Sequence, residues 1–253
     1  QADYLLAILS LEFANDAKEE DTKQQHYLEA LARFSDIVAT YPDSAYAPKA
    51  QYKKALTFEK MGQIDLACEE YVKLSYRYPD NELIAETIAR LGQYFLTKGK
   101  GINEQAAAQT EVIEKEKLRL QALKMYKTAA EVFGRLSVRF PEHALAGKTL
   151  VLSAQCYMQA EEYQKAVDTF AKVIADTNVD KDLAAESMYW QGDTYMKMAD
   201  LKTRVPGVMA GPDALRKAYQ SFKKLTWDYP ESKWAKFARN RLTDPRLAKM
   251  DVE

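Results

Sequence analysis

The sequence is poor both in residues that carry chemistry and in residues that break helices. Its 253 residues include two histidines, two cysteines, nine glycines and eight prolines. Scarce glycine and proline beside abundant Ala, Leu, Lys, Glu, Gln and Met fit an all-helical chain with short connections, and no strand pattern competes. No run of about 18 apolar residues occurs, so no segment is expected to span a membrane. A formal net charge of -1 gives the whole molecule no electrostatic case for nucleic acid or a membrane surface. The chain opens at Gln1 with neither methionine nor a hydrophobic leader, so the expectation is that a segment was removed or that the sequence is an excerpt.

The same scarcity argues against catalysis. His26 and His143 stand far apart, no Ser-His-Asp or Cys-His-Asp grouping recurs, and Lys98-Gly-Lys-Gly101 has no strand before it to make a phosphate loop. No spacing gathers His, Cys and carboxylate, so no catalytic residue, metal site or cofactor is expected. Glu69-Glu70 and Glu161-Glu162 read as solvated helix faces. Cys68 and Cys156 are separated by at least two helices of roughly 8–10 Å each. A bridge, which needs Cα atoms about 4.4–6.8 Å apart, is therefore not expected.

What the sequence does contain is a repeat. Alanine recurs at Ala30, Ala67, Ala129, Ala166 and Ala218; an aromatic follows four residues later at Phe34, Tyr71, Phe133, Phe170 and Phe222; an aliphatic follows three further on at Ile37, Leu74, Leu136, Val173 and Leu225. Spacing i, i+4, i+7 places the three on one stripe of an α-helix, the stripe such a helix must bury. Pro42, Pro79, Pro141 and Pro230 stand eight residues past the aromatic, with Asn178 in the remaining copy, and proline cannot continue a helix. The intervals between aromatics are 37, 62, 37 and 52 residues, a period of 37 with additions of 25 and 15. A period in this range means stacked helical pairs.

The reading is thus an all-α solenoid over residues 1–253. Its repeats fall at about 1–43, 44–81, 82–143, 144–181 and 182–232, with a capping half-repeat at 233–253 and additions at about 99–123 and 201–214. Ser44 is the expected N-cap of the second repeat, Lys98-Gly-Lys-Gly101 the expected end of the first helix of the third, and the second helix of that repeat is expected to be overlong from about residue 104. Residues 214–249 hold ten Lys or Arg against Asp228, Glu231 and Asp244, while residues 1–31 hold seven acids against Lys18 and Lys23.

Gly or Ala at 55, 92, 154 and 192, an aromatic three later, then Ala, aromatic, aliphatic and Pro on the second helix resemble the tetratricopeptide repeat. The 37-residue period and the phrases Tyr41-Pro-Asp-Ser44 and Tyr229-Pro-Glu-Ser232 look like its bacterial envelope subset, the barrel-assembly lipoprotein and Tol–Pal coordinator type. The resemblance implies a right-handed superhelix and a non-enzymatic scaffold for a protein or extended peptide, periplasmic or attached to the outer membrane, in an envelope assembly complex. It also implies an inner groove bearing Tyr52, Lys53, Arg90, Gln93, Gln155, Tyr189 and Asp193. That groove does not resemble the carboxylate-clamp version. Alternatives are an electrostatic binder acting through Lys236, Arg239 and Arg241, and the repeat arm of a larger enzyme.

A second candidate surface comes from the additions. Both lie between the two helices of their repeat, as does the charged segment Asp16–Lys23, and such turns share one edge of a stack, often its binding face. Val205, Val208 and Met209 have no evident packing role there and are the candidate rim residues. The competing expectation is that Val112, Ile113 and Leu120 of the longer addition merely cover the chain's own stack.

Overall fold

A computed structural model of the chain describes residues 1–201 and 209–251, and among these no strand occurs. The helices are α1 (Ala2–Asp16), α2 (Glu20–Thr40), α3 (Ala47–Lys60), α4 (Ile64–Arg77), α5 (Ile84–Ala108), α6 (Val112–Arg139), α7 (Ala146–Gln159), α8 (Tyr163–Ala175), α9 (Lys181–Ala199), α10 (Gly211–Asp228), α11 (Lys233–Leu242) and α12 (Pro245–Ala248), closed by a 3₁₀ turn at Lys249–Asp251. This is an all-α helical repeat. It divides into two compact units, Gln1–Tyr94 and Phe95–Glu253. In the first, α1 packs on α2, α2 on α3 and α3 on α4; in the second, α6 through α11 pack consecutively in the same way.

The stripe that defines the repeat is the core. Phe34, Tyr71, Phe133, Phe170 and Phe222 are all buried, with their alanine and aliphatic companions buried beside them. Each large side chain taken from water contributes about 1.5–3 kcal/mol, so these residues supply much of the stabilisation of each helix pair. The first helix of a pair sends a tyrosine onto the aromatic of the second. Tyr4 meets Phe34 at 6.0 Å between ring centroids, Tyr52 meets Tyr71 at 5.7 Å, and Tyr189 meets Phe222 at 5.9 Å.

The turns after the second helices repeat as closely. Tyr41, Tyr78, Phe140 and Tyr229 have φ between -134° and -128° and ψ of 56° to 63°. Proline follows each of them and excludes the α-region for the residue before it, so the helix must stop there. Each such residue then accepts a backbone bond from three residues on, as in Ser44 N to Tyr41 O at 3.1 Å and Ser232 N to Tyr229 O at 3.0 Å. Where Asn178 replaces proline, side chains add to the backbone bond from Val179 N to Asp176 O: the Asp176 carboxylate accepts from Asn178 N, and Asp180 caps α9 by accepting from Leu183 N.

Several local expectations are corrected. Ser44 does not cap α3: the cap position is Tyr46, and Ser44 acts through its carbonyl, which takes Ala47 N at 3.1 Å. The second helix of the first repeat starts at Glu20, so the segment Asp16–Lys23 contributes only a short link. Gly99 and Gly101 do not end α5, which continues to Ala108; the break falls at residues 109–111, where Gln109 Oε1 takes the backbone N–H groups of Thr110 and Glu111. Gly99 is there for proximity, since a Cβ on it would stand 3.0 Å from the ring of Tyr126 on α6. The 25-residue addition therefore lengthens both helices of its pair into an arm, the end of α5 against the start of α6.

Candidate protein-binding surfaces

In the first unit two of the predicted groove residues, Tyr52 and Arg90, are engaged with each other. Tyr52 on α3 is buried; its hydroxyl donates to Glu86 Oε2 on α5 at 3.0 Å and accepts from Arg90 Nε at 3.0 Å. Burial raises its pKa, and the Arg90 bond and charge partly offset that. Arg90 also reaches Glu59 at 2.6 Å, with its guanidinium 5.9 Å from the Tyr52 ring centroid. Lys53 is half-buried, and Gln93 is exposed.

In the second unit Gln155 on α7 donates to Glu186 Oε1 on α9 at 3.1 Å, and the buried carboxylate of Asp193 pairs with Arg241 of α11. Tyr189 is half-buried in an aromatic cluster with Trp190, Phe222, Trp234 and Phe237 at centroid distances of 5.3 to 6.0 Å. These side chains thus clamp successive first helices together. A ligand seated on them must break bonds already made.

The edge that carries the first-to-second helix turns is different. Arg119 of α6 reaches Glu161, in the turn between α7 and α8, at 2.6 Å, and Lys127 reaches Glu162 at 2.9 Å. The arm accordingly leans along that turn. Beyond these contacts it is bare: Val112 and Ile113 are each 78% exposed and Leu120 is 56% exposed. The expectation that they cover the chain's own stack is therefore overturned. They line an open depression with Glu116, Lys117, Gln121 and Lys124. On the other addition, Met209 does have a packing role, partly buried against Val167, Met198 and Ala214 beside Tyr163 at the start of α8. Val205 and Val208 lie outside the described residues.

One feature was invisible to sequence spacing. Glu70, expected on a solvated face, is buried and accepts from the buried Gln51 of α3, with Lys73 Nζ at 2.7 Å and Lys54 Nζ at 3.5 Å. The only signal for it was glutamine on the helix face that turns toward the partner helix. Cys156 is buried and its thiol is pushed up to about 12 by that burial; it and Cys68 form no disulfide. Some cations of the basic end are paired: Arg246 meets Asp200 at 2.6 Å and Asp244 at 2.9 Å, and Lys233 meets Asp182 at 3.7 Å, whereas Arg239 donates to the neutral Pro230 O at 2.8 Å and keeps its charge. Among the described residues no three His, Cys, Asp or Glu converge as a metal set, and no helix is long and apolar enough to cross a membrane.

Repeated helix pairs closed by the same turn define a tetratricopeptide repeat protein, and the model of that repeat matches residues 49–81, which hold most of α3 and all of α4. The second match is longer. The family model described as outer membrane lipoprotein (YfiO) matches residues 105–253, more than half of the chain, and the chain belongs to that family. Among solved structures, a thermophilic tetratricopeptide repeat protein of Thermus thermophilus is 16% identical over 98% of this chain and 100% of that one, with a TM-score of 0.37. A computationally designed self-assembling cyclic homooligomer is 14% identical over 99% of this chain and 94% of that one, with a TM-score of 0.25. The comparison with curated proteins found no match.

Proposed function

We propose that the chain is a non-enzymatic protein-binding scaffold of a bacterial outer-membrane assembly, periplasmic and membrane-associated, and that its partner sits on the arm of α5 and α6. The observation that carries this reading is the exposure of Val112, Ile113 and Leu120 on a helix whose other face is held by ion pairs to the neighbouring turn. Exposed apolar side chains gathered on one surface favour a protein contact over free solvation. The groove residues are weaker candidates because Tyr52, Arg90, Gln155 and Asp193 already bind other side chains. The envelope role rests on the family, whose description names an outer membrane lipoprotein. The 201–214 addition, with Val205 and Val208, is proposed as a second part of the same edge. An anionic-surface role for Lys236, Arg239 and Arg241 is weakened by Arg241, whose charge is paired with Asp193.

The test is a pair of double variants. Val112→Asp/Ile113→Asp is expected to keep the wild-type helical content and melting curve while binding of the natively co-purifying partner falls by about tenfold or more, as for residues central to an interface. Tyr52→Ala/Gln93→Ala is expected to lose stability and to bind with smaller change. The reverse pattern assigns the partner to the groove.

A further inference from the structure

The second helices of the repeat share a register that turns one place outward. Five residues past the buried aromatic stand Ala39, Tyr76, Val138, Ala175 and Trp227, all of them exposed. Alanine serves there in α2 and α8, so folding asks for nothing larger. Trp227, in the last turn of α10, is nevertheless 86% exposed, although tryptophan is a side chain that folding mostly buries. Helical spacing continues its side of α10 back through Lys224 and Gln220 to Lys217, three, seven and ten residues before it.

Those three side chains form one wall of a cleft between α8 and α10. Ile174 of α8 lies on the other wall, Tyr195 and the buried Met188 of α9 make the floor, and the volume of about 200 Å³ is that of one large side chain. A single residue fixes its width. Gln191 of α9 donates to Val167 O of α8 at 3.2 Å and accepts from Ser221 of α10 at 3.5 Å, so it ties both walls to the floor. Both walls are consecutive second helices already packed on α9, and the stack has no further helix to place between them. Among the lining residues the charge has one sign. Lys217 and Lys224 line the cleft and no carboxylate does; Lys217 has no ion pair among the described residues, and Lys224 meets Asp228 at 2.6 Å.

We propose that this cleft and Trp227 form a second docking site, apart from the arm, for an acidic amphipathic helix of a partner protein. One apolar side chain of that helix enters the cleft over Met188. Another, seven residues on, lies against the Trp227 ring, because Gln220 and Trp227 stand about 10.5 Å apart along α10 at 1.5 Å per residue. Aspartates or glutamates beside them meet Lys217 and Lys224. The recess argues against a bilayer surface, which has no side chain to enter it. Two ammonium groups are few for a nucleic-acid backbone, and a second copy's α10 presents the same sign.

The probe is a synthetic helix with leucines seven residues apart and flanking glutamates, compared by fluorescence anisotropy with the same helix carrying lysines at the flanks. The full chain is expected to bind the glutamate peptide, with a blue shift of its tryptophan emission as an exposed indole leaves water. Trp227→Ala is expected to weaken binding by about tenfold or more, as for a tryptophan anchor, and to abolish the shift while leaving the melting curve unchanged. Lys217→Glu/Lys224→Glu is expected to reverse the preference toward the lysine peptide. Val112→Asp/Ile113→Asp is expected to bind the glutamate peptide as wild type does, so that this site and the arm fail separately. No binding of the glutamate peptide, equal binding of the two, or full affinity in Trp227→Ala overturns the proposal. So does sedimentation showing a wild-type dimer that Trp227→Ala abolishes, or Trp227-dependent flotation with phosphatidylglycerol vesicles.

Discussion

At the scale of single residues, two glycines in ordinary surroundings predict opposite outcomes. Gly62 has φ of 73° in the turn between α3 and α4, and Gly101 lies inside α5; a Cβ at either meets nothing within 4 Å. Alanine at 62 must hold a left-handed conformation, at about 1–2 kcal/mol, so Gly62→Ala is expected to lower the urea midpoint. Gly101→Ala removes a helix-interior glycine and is expected to raise it, by up to about 1 kcal/mol. Glu161 stands at the place of Gly62 in a later pair, with φ of 61°, and accepts that strain beside its ion pair with Arg119. Gly192 is the opposite kind of glycine. A Cβ there would lie 2.6 Å from the Phe222 ring, so Gly192→Ala is expected to cost about 1–3 kcal/mol as an overpacked contact.

Cys156 gives a signed pH prediction. Its folded thiol is raised by burial, first of all causes, to about 12, whereas the unfolded thiol titrates at its ordinary value. Above that ordinary value the unfolded chain loses a proton that the folded chain keeps, so stability falls as pH rises. The window opens near the ordinary thiol pKa and closes at about 12. The limiting slope is about 1.4 kcal/mol per pH unit. Denaturation at pH values through this window should show Cys156→Ala losing less stability than wild type. An identical decline in both would mean the thiol is not buried as described.

At the scale of elements, the second helices of the pairs were legible because their pattern is local: alanine, aromatic, aliphatic and a terminal proline lie on one stripe of one helix. The same locality explains what could not be read. Whether Gly99 ends α5 or lets α6 come close depends on Tyr126, 27 residues away in sequence, and sequence spacing carries no sign of that pairing. Glu70 looks like any surface glutamate until Gln51 and Lys54 of α3 are set beside it. The bonds of Tyr52 to Arg90, of Gln155 to Glu186 and of Asp193 to Arg241 run between helices and were not legible. The arm itself predicts little intrinsic stabilisation. Arg119→Ala removes an exposed ion pair and is expected to change stability by less than about 1 kcal/mol, whereas Phe133→Ala, in the core of the same α6, is expected to cost about 3–5 kcal/mol. Thermal unfolding of both variants checks the contrast.

At the scale of the whole molecule, membership of the outer membrane lipoprotein family and the tetratricopeptide fold fit a protein whose work is to hold others. In each unit the buried repeat residues make a regular framework, and in the second what departs from regularity is exposed: an arm tipped with Val112 and Ile113. The measurement that bears most directly on the scaffold reading is site-specific photo-crosslinking in the native cell, with the reactive residue placed in turn at Ile113 and at Gln93. The account predicts one discrete product from Ile113 that fractionates with the outer membrane and is lost on Leu120→Asp, and a weak or absent product from Gln93. A discrete partner captured at Gln93 alone, with nothing at Ile113, would contradict it.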